Sequence, residues 1–195
     1  MGYAIAEAAL AEEHDVALIS GPVALEPPRN AKLTSVSTSD EMFSAVHQHV
    51  DQCDICVLCA AVTDYKPANV SPTKIKKLGA KFSLELNPTC DILESLGHRQ
   101  DRQFVLVGFA AETDHVEENA AKKLRGKNCD IIVANDVSRA DSGMESDVNE
   151  VIILFQNGEK KKISRSPKKI IALELVKIFL DFATKMFDKK NVTIN

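Results

Sequence analysis

Apolar and polar positions along this chain follow two rhythms that take turns. Residues 1–13 have the spacing of an amphipathic helix, with Ile5, Ala8, Ala9 and Glu12 marking its faces. Short apolar runs follow at 15–20, 32–36, 54–59, 103–110 and 130–134, and they read as strands. Segments with helical start signals lie between them. Thr38 and Glu41, three positions apart, make a capping box for a helix to about Val50. Asn87 is a candidate N-cap with Pro88 at the first helical position, for a helix to about Leu96. Asp114 and Glu117 can cap a helix through Lys127, and Ser166-Pro167 opens a last helix to about Phe187. Residues 150–156 and 160–164 flank Asn157-Gly158, a strong hairpin signal. Residues 81–86 alternate like a strand, so 72–86 reads as a flap. Strands alternating with helices predict an α/β chain with a mostly parallel sheet, helices on both faces and a late antiparallel hairpin.

The first helix begins abruptly. A doubly wound fold ordinarily opens on a strand and a glycine-rich turn whose N–H groups face phosphate. That strand and loop are expected upstream of Met1. The 195 residues suit one domain, 1–187, followed by a polar tail, 188–195. Composition is 45% hydrophobic and 27% charged, as in globular proteins, and the net charge of −4 argues against a general nucleic-acid binder. No apolar run approaches the length of a membrane span, and five cysteines scattered through apolar segments suit a reducing compartment, the cytoplasm.

Candidate chemistry gathers where strands end. The stretch 58–77, LCAAVTDYKPANVSPTKIKK, leaves its strand through Ala60, Ala61 and Asp64 and then delivers Lys74, Lys76 and Lys77. Small residues at a strand end let a ligand approach the backbone, and a tethered group of ammonium charges suits a lid over phosphates. Two further strands end in Phe109-Ala110-Ala111-Glu112-Thr113 and Ala134-Asn135-Asp136-Val137. In a parallel sheet the three ends share one edge and would converge on one nucleotide-sized cleft. Lys123 and Lys127, four apart on one helix face, could reach phosphate or simply be solvated. Cys53, Cys56 and Cys59 lack the second ligand pair that zinc requires, so no metal ligands are assigned. No Walker A, Gly-x-Ser-x-Gly or Gly-x-Gly-x-x-Gly motif occurs, which counts against P-loop, hydrolase and nicotinamide-dependent oxidoreductase readings.

In order, AAVTDYKP, PTKIKK, VGFAAET with a lysine-rich helix, and IIVANDVS resemble phosphopantothenoylcysteine synthetase. This is the ligase part of a bifunctional bacterial protein of coenzyme A biosynthesis. The resemblance covers nearly the whole chain. It implies a Rossmann-like fold, a homodimer, and fusion to or assembly with a flavin-dependent decarboxylase. It also implies a reaction: 4′-phosphopantothenate and CTP, with Mg2+, form an acyl-cytidylate that L-cysteine converts to the amide. By motif, Lys74 matches the catalytic lysine of the flap. Asp64, Asp91, Phe109, Lys123 and Lys127 match nucleotide-binding positions, and Ala60 and Ala61 match the turn against which the nucleotide packs. The glycine-containing strand-turn and the asparagine loop of the family precede the position matching Met1. Without them, the alternative is a nucleotide-binding relative of impaired turnover.

Overall fold

A computed structural model of the chain describes residues 1–77, 79, 82–137 and 147–192. Its elements run α1 (Gly2–Ala11), β1 (Ala17–Ser20), β2 (Lys32–Ser35), α2 (Ser39–His49), a 3₁₀ turn (Val50–Gln52), β3 (Ile55–Leu58), β4 (Tyr65–Pro67) and β5 (Leu86–Pro88). There follow α3 (Ile92–Gly97), β6 (Val105–Glu112), α4 (Val116–Gly126), β7 (Ile131–Asp136), β8 (Val148–Phe155), β9 (Lys160–Pro167) and α5 (Lys168–Val192).

The main sheet has the order β3-β6-β7-β8-β9. Its β3, β6 and β7 are parallel, and the hairpin β8–β9 extends it antiparallel. β1 and β2 form a separate parallel pair, and β4 pairs antiparallel with β5. The period of two along β6 divides the core between the faces of the sheet. Val105 and Val107 pack with α1 and α5, through Ile5, Ile171, Leu175 and Phe179. Leu106 and Ala110 pack on the other face with Val46, Leu96, Ala120 and Leu124, from α2, α3 and α4. A strand buried on both faces reads as an unbroken apolar run, as β6 does. The expected α/β fold with helices on both faces is the fold observed.

Two glycines make the packing of α3 possible. A Cβ at Gly108 would lie 2.7 Å from both Leu93 Cδ2 and Ile132 Cδ1. A Cβ at Gly97 would lie 1.8 Å from the Lys127 carbonyl oxygen. The Asn128 amide donates to the Gly97 carbonyl at 2.6 Å, tying the ends of α3 and α4 together. Beneath them the buried carboxylate of Asp130 accepts from the Leu106 N–H at 2.7 Å and pairs with the Arg102 guanidinium.

The structure corrects several local expectations. Residues 87–88 do not begin a helix: Asn87 pairs with Lys66 and Pro88 with Tyr65 in the β4–β5 ladder. Proline is tolerated at such an edge. The helix starts four residues later, capped by Asp91, whose carboxylate accepts from the Glu94 N–H at 2.8 Å. Of the strand expected at 81–86, residues 82–85 stand outside any ladder, and Lys81 lies outside the described residues. α4 is entered through His115 at φ 43°, with no side-chain cap from Asp114 or Glu117. The Asp114 carbonyl instead accepts from the Asn119 amide at 3.1 Å. α5 passes the expected end near Phe187 and reaches Val192, since neither Gly nor Pro occurs between. The capping box of α2 forms as expected, with Glu41 N–H to Thr38 Oγ1 at 3.2 Å and Thr38 N–H to Glu41 Oε2 at 3.2 Å.

Candidate functional site

β3, β6 and β7 run parallel with their carboxyl ends toward one edge of the sheet; β3 ends beside Gly108, while β6 and β7 stay paired to Glu112 and Asp136, so the turns expected at 109–113 and 134–137 are largely strand. Ligands bind at that edge in open α/β sheets. A cleft of about 1560 Å³ lies there and extends back between β1 and β3. Ala60, Ala61, Asp64, Asp91, Phe109 and Lys123 all line it.

Each is held by a definable local cause. Beyond β3, the Val62 N–H turns back to the Ala60 carbonyl at 3.1 Å, which keeps the Ala60-Ala61 backbone exposed. The next corner is pinned twice. The Thr89 N–H donates to the Asp64 carbonyl at 2.9 Å, and the Thr89 hydroxyl donates to the Thr63 carbonyl at 2.5 Å. Asp64 is thereby fixed in backbone while its carboxylate remains exposed. Phe109 follows Gly108 on β6, and its carbonyl accepts from Lys123 Nζ at 2.9 Å. α4 therefore contributes one ammonium to the interior of β6, one residue past the point where β3 stops pairing with it.

Lys127 serves differently. Its ammonium lies 3.0 Å from Asp91 Oδ2 and 3.0 Å from Glu94 Oε2, both at the start of α3. Partial burial raises the Asp91 carboxyl, but the Glu94 N–H and the Lys127 ammonium outweigh it and hold the group below its ordinary value. Burial likewise works against the Lys127 ammonium, and the two carboxylates outweigh it, so its pKa is raised. Asp91, Glu94 and Lys127 form a clamp of two carboxylates on one ammonium at the rim of the cleft.

Lys74 is not brought to this group. It is exposed in the connection between β4 and β5 and is not among the lining residues. Asn135, half-buried, pairs with Ala111 in β7, and Asp136, which ends the strand, pairs with Glu112. Ser138 of the IIVANDVS motif lies outside the described residues.

Sequence reasoning missed two participants. Thr89 lines the cleft and locks the Thr63–Asp64 corner, and reading Asn87-Pro88 as a helix start concealed it. The Lys66 ammonium pairs with the carboxylate of Asp40 on α2, which secures the foot of β4. A lysine inside the AAVTDYKP stretch was the available signal.

Among the described residues, no group of three His, Cys, Asp or Glu side chains could hold a metal ion. All five cysteines are free thiols. No described helix is long and apolar enough to cross a membrane.

Residues 1–182 match the family described as the DNA/pantothenate metabolism flavoprotein C-terminal domain. The chain is 43% identical over 177 residues to the coenzyme A biosynthesis bifunctional protein CoaBC of Bacillus subtilis (strain 168), covering 90% of this chain and 43% of that protein. It is 39% identical over 198 residues to the protein of the same name from Escherichia coli (strain K12), covering 98% of this chain and 47% of the relative. The chain thus spans less than half the length of these relatives. Among solved structures, the C-terminal domain of a coenzyme A biosynthesis bifunctional protein CoaBC superposes with a TM-score of 0.77 at 38% identity, covering 95% of this chain and 82% of that one. With 182 of its residues inside the family's bounds and these relatives beside it, the chain belongs to the DNA/pantothenate metabolism flavoprotein C-terminal domain family.

Proposed function

We propose that this chain is a phosphopantothenate–cysteine ligase of coenzyme A biosynthesis, working in the cytoplasm with CTP as co-substrate. The observation that carries the reading is the meeting of the Ala60-Ala61 turn, Asp91, Phe109 and Lys123 around one cleft, in a member of this family. In the first step, the carboxylate of 4′-phosphopantothenate attacks the α-phosphorus of CTP, and pyrophosphate leaves an acyl-cytidylate. In the second, the amine of L-cysteine attacks the acyl carbon, CMP departs, and the nitrogen sheds a proton to give the amide.

The roles divide by charge. Lys123 bonds the Phe109 carbonyl on β6 and adds positive charge to the cleft. Lys127, neutralised by Asp91 and Glu94, sets where the Asp91 carboxylate stands. Lys74 offsets the negative charge that develops on the transferring phosphoryl group. Magnesium would be carried by the triphosphate and water, with few protein ligands. Homodimerisation and a fused flavin-dependent decarboxylase belong to the same proposal.

The test is pyrophosphate release from 4′-phosphopantothenate and Mg-CTP, with and without cysteine and with ATP in parallel. Release that requires the acid and favours CTP supports the ligase. A second reading, nucleotide binding without turnover, is favoured by the place of Lys74 outside the cleft lining. Calorimetric binding of CTP without pyrophosphate release would select it.

A further inference from the structure

Cys53, Cys56 and Cys59, spaced by three, have no part in the ligase chemistry. Along an unbroken strand, residues three apart lie on opposite faces of the sheet. β3 obeys that rule from Ile55 onward. Ile55 and Val57 pack with α1 and α5, whereas Cys56 and Leu58 pack on the other face, with α2 and α3. Cys59 lies against the start of α1, where a Cβ at Gly2 would be 3.7 Å from its Cβ.

Cys53 breaks the rule. It follows the 3₁₀ turn with an extended backbone, φ −119° and ψ 150°, and the chain bends at Asp54 before β3 begins. A straight continuation of β3 would place Cys53 with Ile55 and Val57. The bend returns it instead to the cluster that holds Cys56. A straight strand also holds Cα atoms three residues apart at about 10 Å, beyond a disulfide's reach of roughly 7 Å, and the bend shortens that span.

The two thiols are in contact. The Cys56 S–H donates to the Cys53 sulfur, and the Cys53 S–H reaches the Val50 carbonyl at 3.1 Å. The pair is unequal. The hydrogen bond from Cys56 lowers the Cys53 thiol, outweighing burial and the neighbouring Asp54 and Asp51 carboxylates. The same bond, together with burial, raises the Cys56 thiol well above its ordinary value. Both residues are half-buried and line the cleft, so a small molecule can reach Cys53 from solvent.

We propose that Cys53 and Cys56 form a reactive dithiol site for low-molecular-weight disulfides, with Cys53 as the attacking thiol and Cys56 as the resolving one. The Cys53 thiolate attacks one sulfur of the small disulfide, whose S–S bond breaks as a mixed disulfide forms and one thiolate leaves. Cys56 then loses its proton to solvent and attacks the Cys53 sulfur. The second thiolate leaves, and a Cys53–Cys56 disulfide remains. Two electrons pass from the cysteine pair to the small disulfide, which ends as two thiols. Excess thiol runs the steps backward, in keeping with the transient disulfides of reducing compartments. The inference is independent of the ligase reading, which uses neither sulfur.

The test uses the full chain carrying Cys90→Ser, which removes the exposed thiol. The folded protein is incubated with oxidised glutathione at pH 8 and followed by intact mass. The expected product has lost two hydrogens and carries no glutathionyl group. Adding Cys59→Ser should leave that result unchanged. Adding Cys56→Ser should halt the reaction at one stable glutathionyl group on Cys53, and adding Cys53→Ser should slow it by roughly tenfold or more. A loss of two hydrogens that survives Cys53→Ser or Cys56→Ser, or that requires Cys59, would overturn the proposal. So would a chain that stays reduced, or that keeps glutathione, while both cysteines are present. Phenylarsine oxide probes the same pair with no substitution in this segment, because its arsenic bridges two neighbouring thiols. One equivalent should bind the Cys90→Ser chain and block the oxidation, and oxidation at an unchanged rate would count against the site.

Discussion

Lys127 and Asp91 meet at 3.0 Å across the junction of two helices, the lysine closing α4 and the aspartate opening α3. The ion pair ties the end of α4 to the start of α3, and Glu94, in the first turn of α3, joins it.

The clamp has a defined pH signature. The Asp91 carboxyl is held below its ordinary value of 3.8, so its contribution is present above that pH and is lost as acid protonates it in the fold. The Lys127 ammonium is raised above 10.5, so its contribution is full below that pH and is lost as alkali removes the proton. Asp91→Asn should therefore shrink the fall in stability below about pH 4, and Lys127→Met the fall above pH 10.5. Because both groups are partly exposed, each substitution should cost only about 1 kcal/mol near neutrality, read by urea titration.

Arg102 and Asp130 form the costlier pair. Removing the guanidinium in Arg102→Met leaves the 5%-exposed Asp130 with the Leu106 N–H but no cation. A loss of about 3–5 kcal/mol is expected by denaturant unfolding. The double substitution Arg102→Met/Asp130→Leu should recover part of it, since it leaves no buried charge behind.

The two glycines behind α3 should rank by what a methyl group meets. Gly108→Ala pushes against the ends of Leu93 and Ile132, which can give way, at a cost of about 1–3 kcal/mol. Gly97→Ala pushes against the Lys127 carbonyl, which is backbone, and should lower the Tm further. A melting series on the two variants checks the order.

The free thiols should separate by exposure. Burial pushes the Cys129 thiol up to about 12, whereas Cys90 is exposed on the surface. An aromatic disulfide reagent at pH 8 should modify Cys90 first and leave Cys129 untouched until the chain unfolds.

Lys74→Gln should abolish pyrophosphate release, by at least about 100-fold, as removal of charge stabilisation at a phosphoryl centre does. The Tm should hold, because the side chain is exposed. Wild-type rates in the variant would remove Lys74 from the mechanism.

Elements with a strong period were legible from residues alone. β6 and β7 are apolar on both faces, and the Thr38–Glu41 box and the Asn157-Gly158 hairpin carry their own turn chemistry. The segment around Pro88 was not. Asn87-Pro88 and Asp91 are both plausible helix starts, and the pairing of Asn87 with Lys66 and of Pro88 with Tyr65 decided between them. The same long-range pairing hid Thr89 from the site. The convergence of Ala60, Phe109 and Asn135 on one edge followed from parallel strands, whereas the Lys127–Asp91 contact depends on how α3 lies against α4, which no local pattern encodes.

The three-residue pairing of Tyr65–Pro67 with Leu86–Pro88 also has a kinetic consequence. Lys74 stands seven residues beyond Pro67, a leash that spans at most about 25 Å. A group on so short a leash meets its target at an effective concentration in the millimolar range. Free amines such as methylamine, added to the Lys74→Gln protein, have to stand in for that lost local concentration. They restore turnover only when supplied at comparable strength.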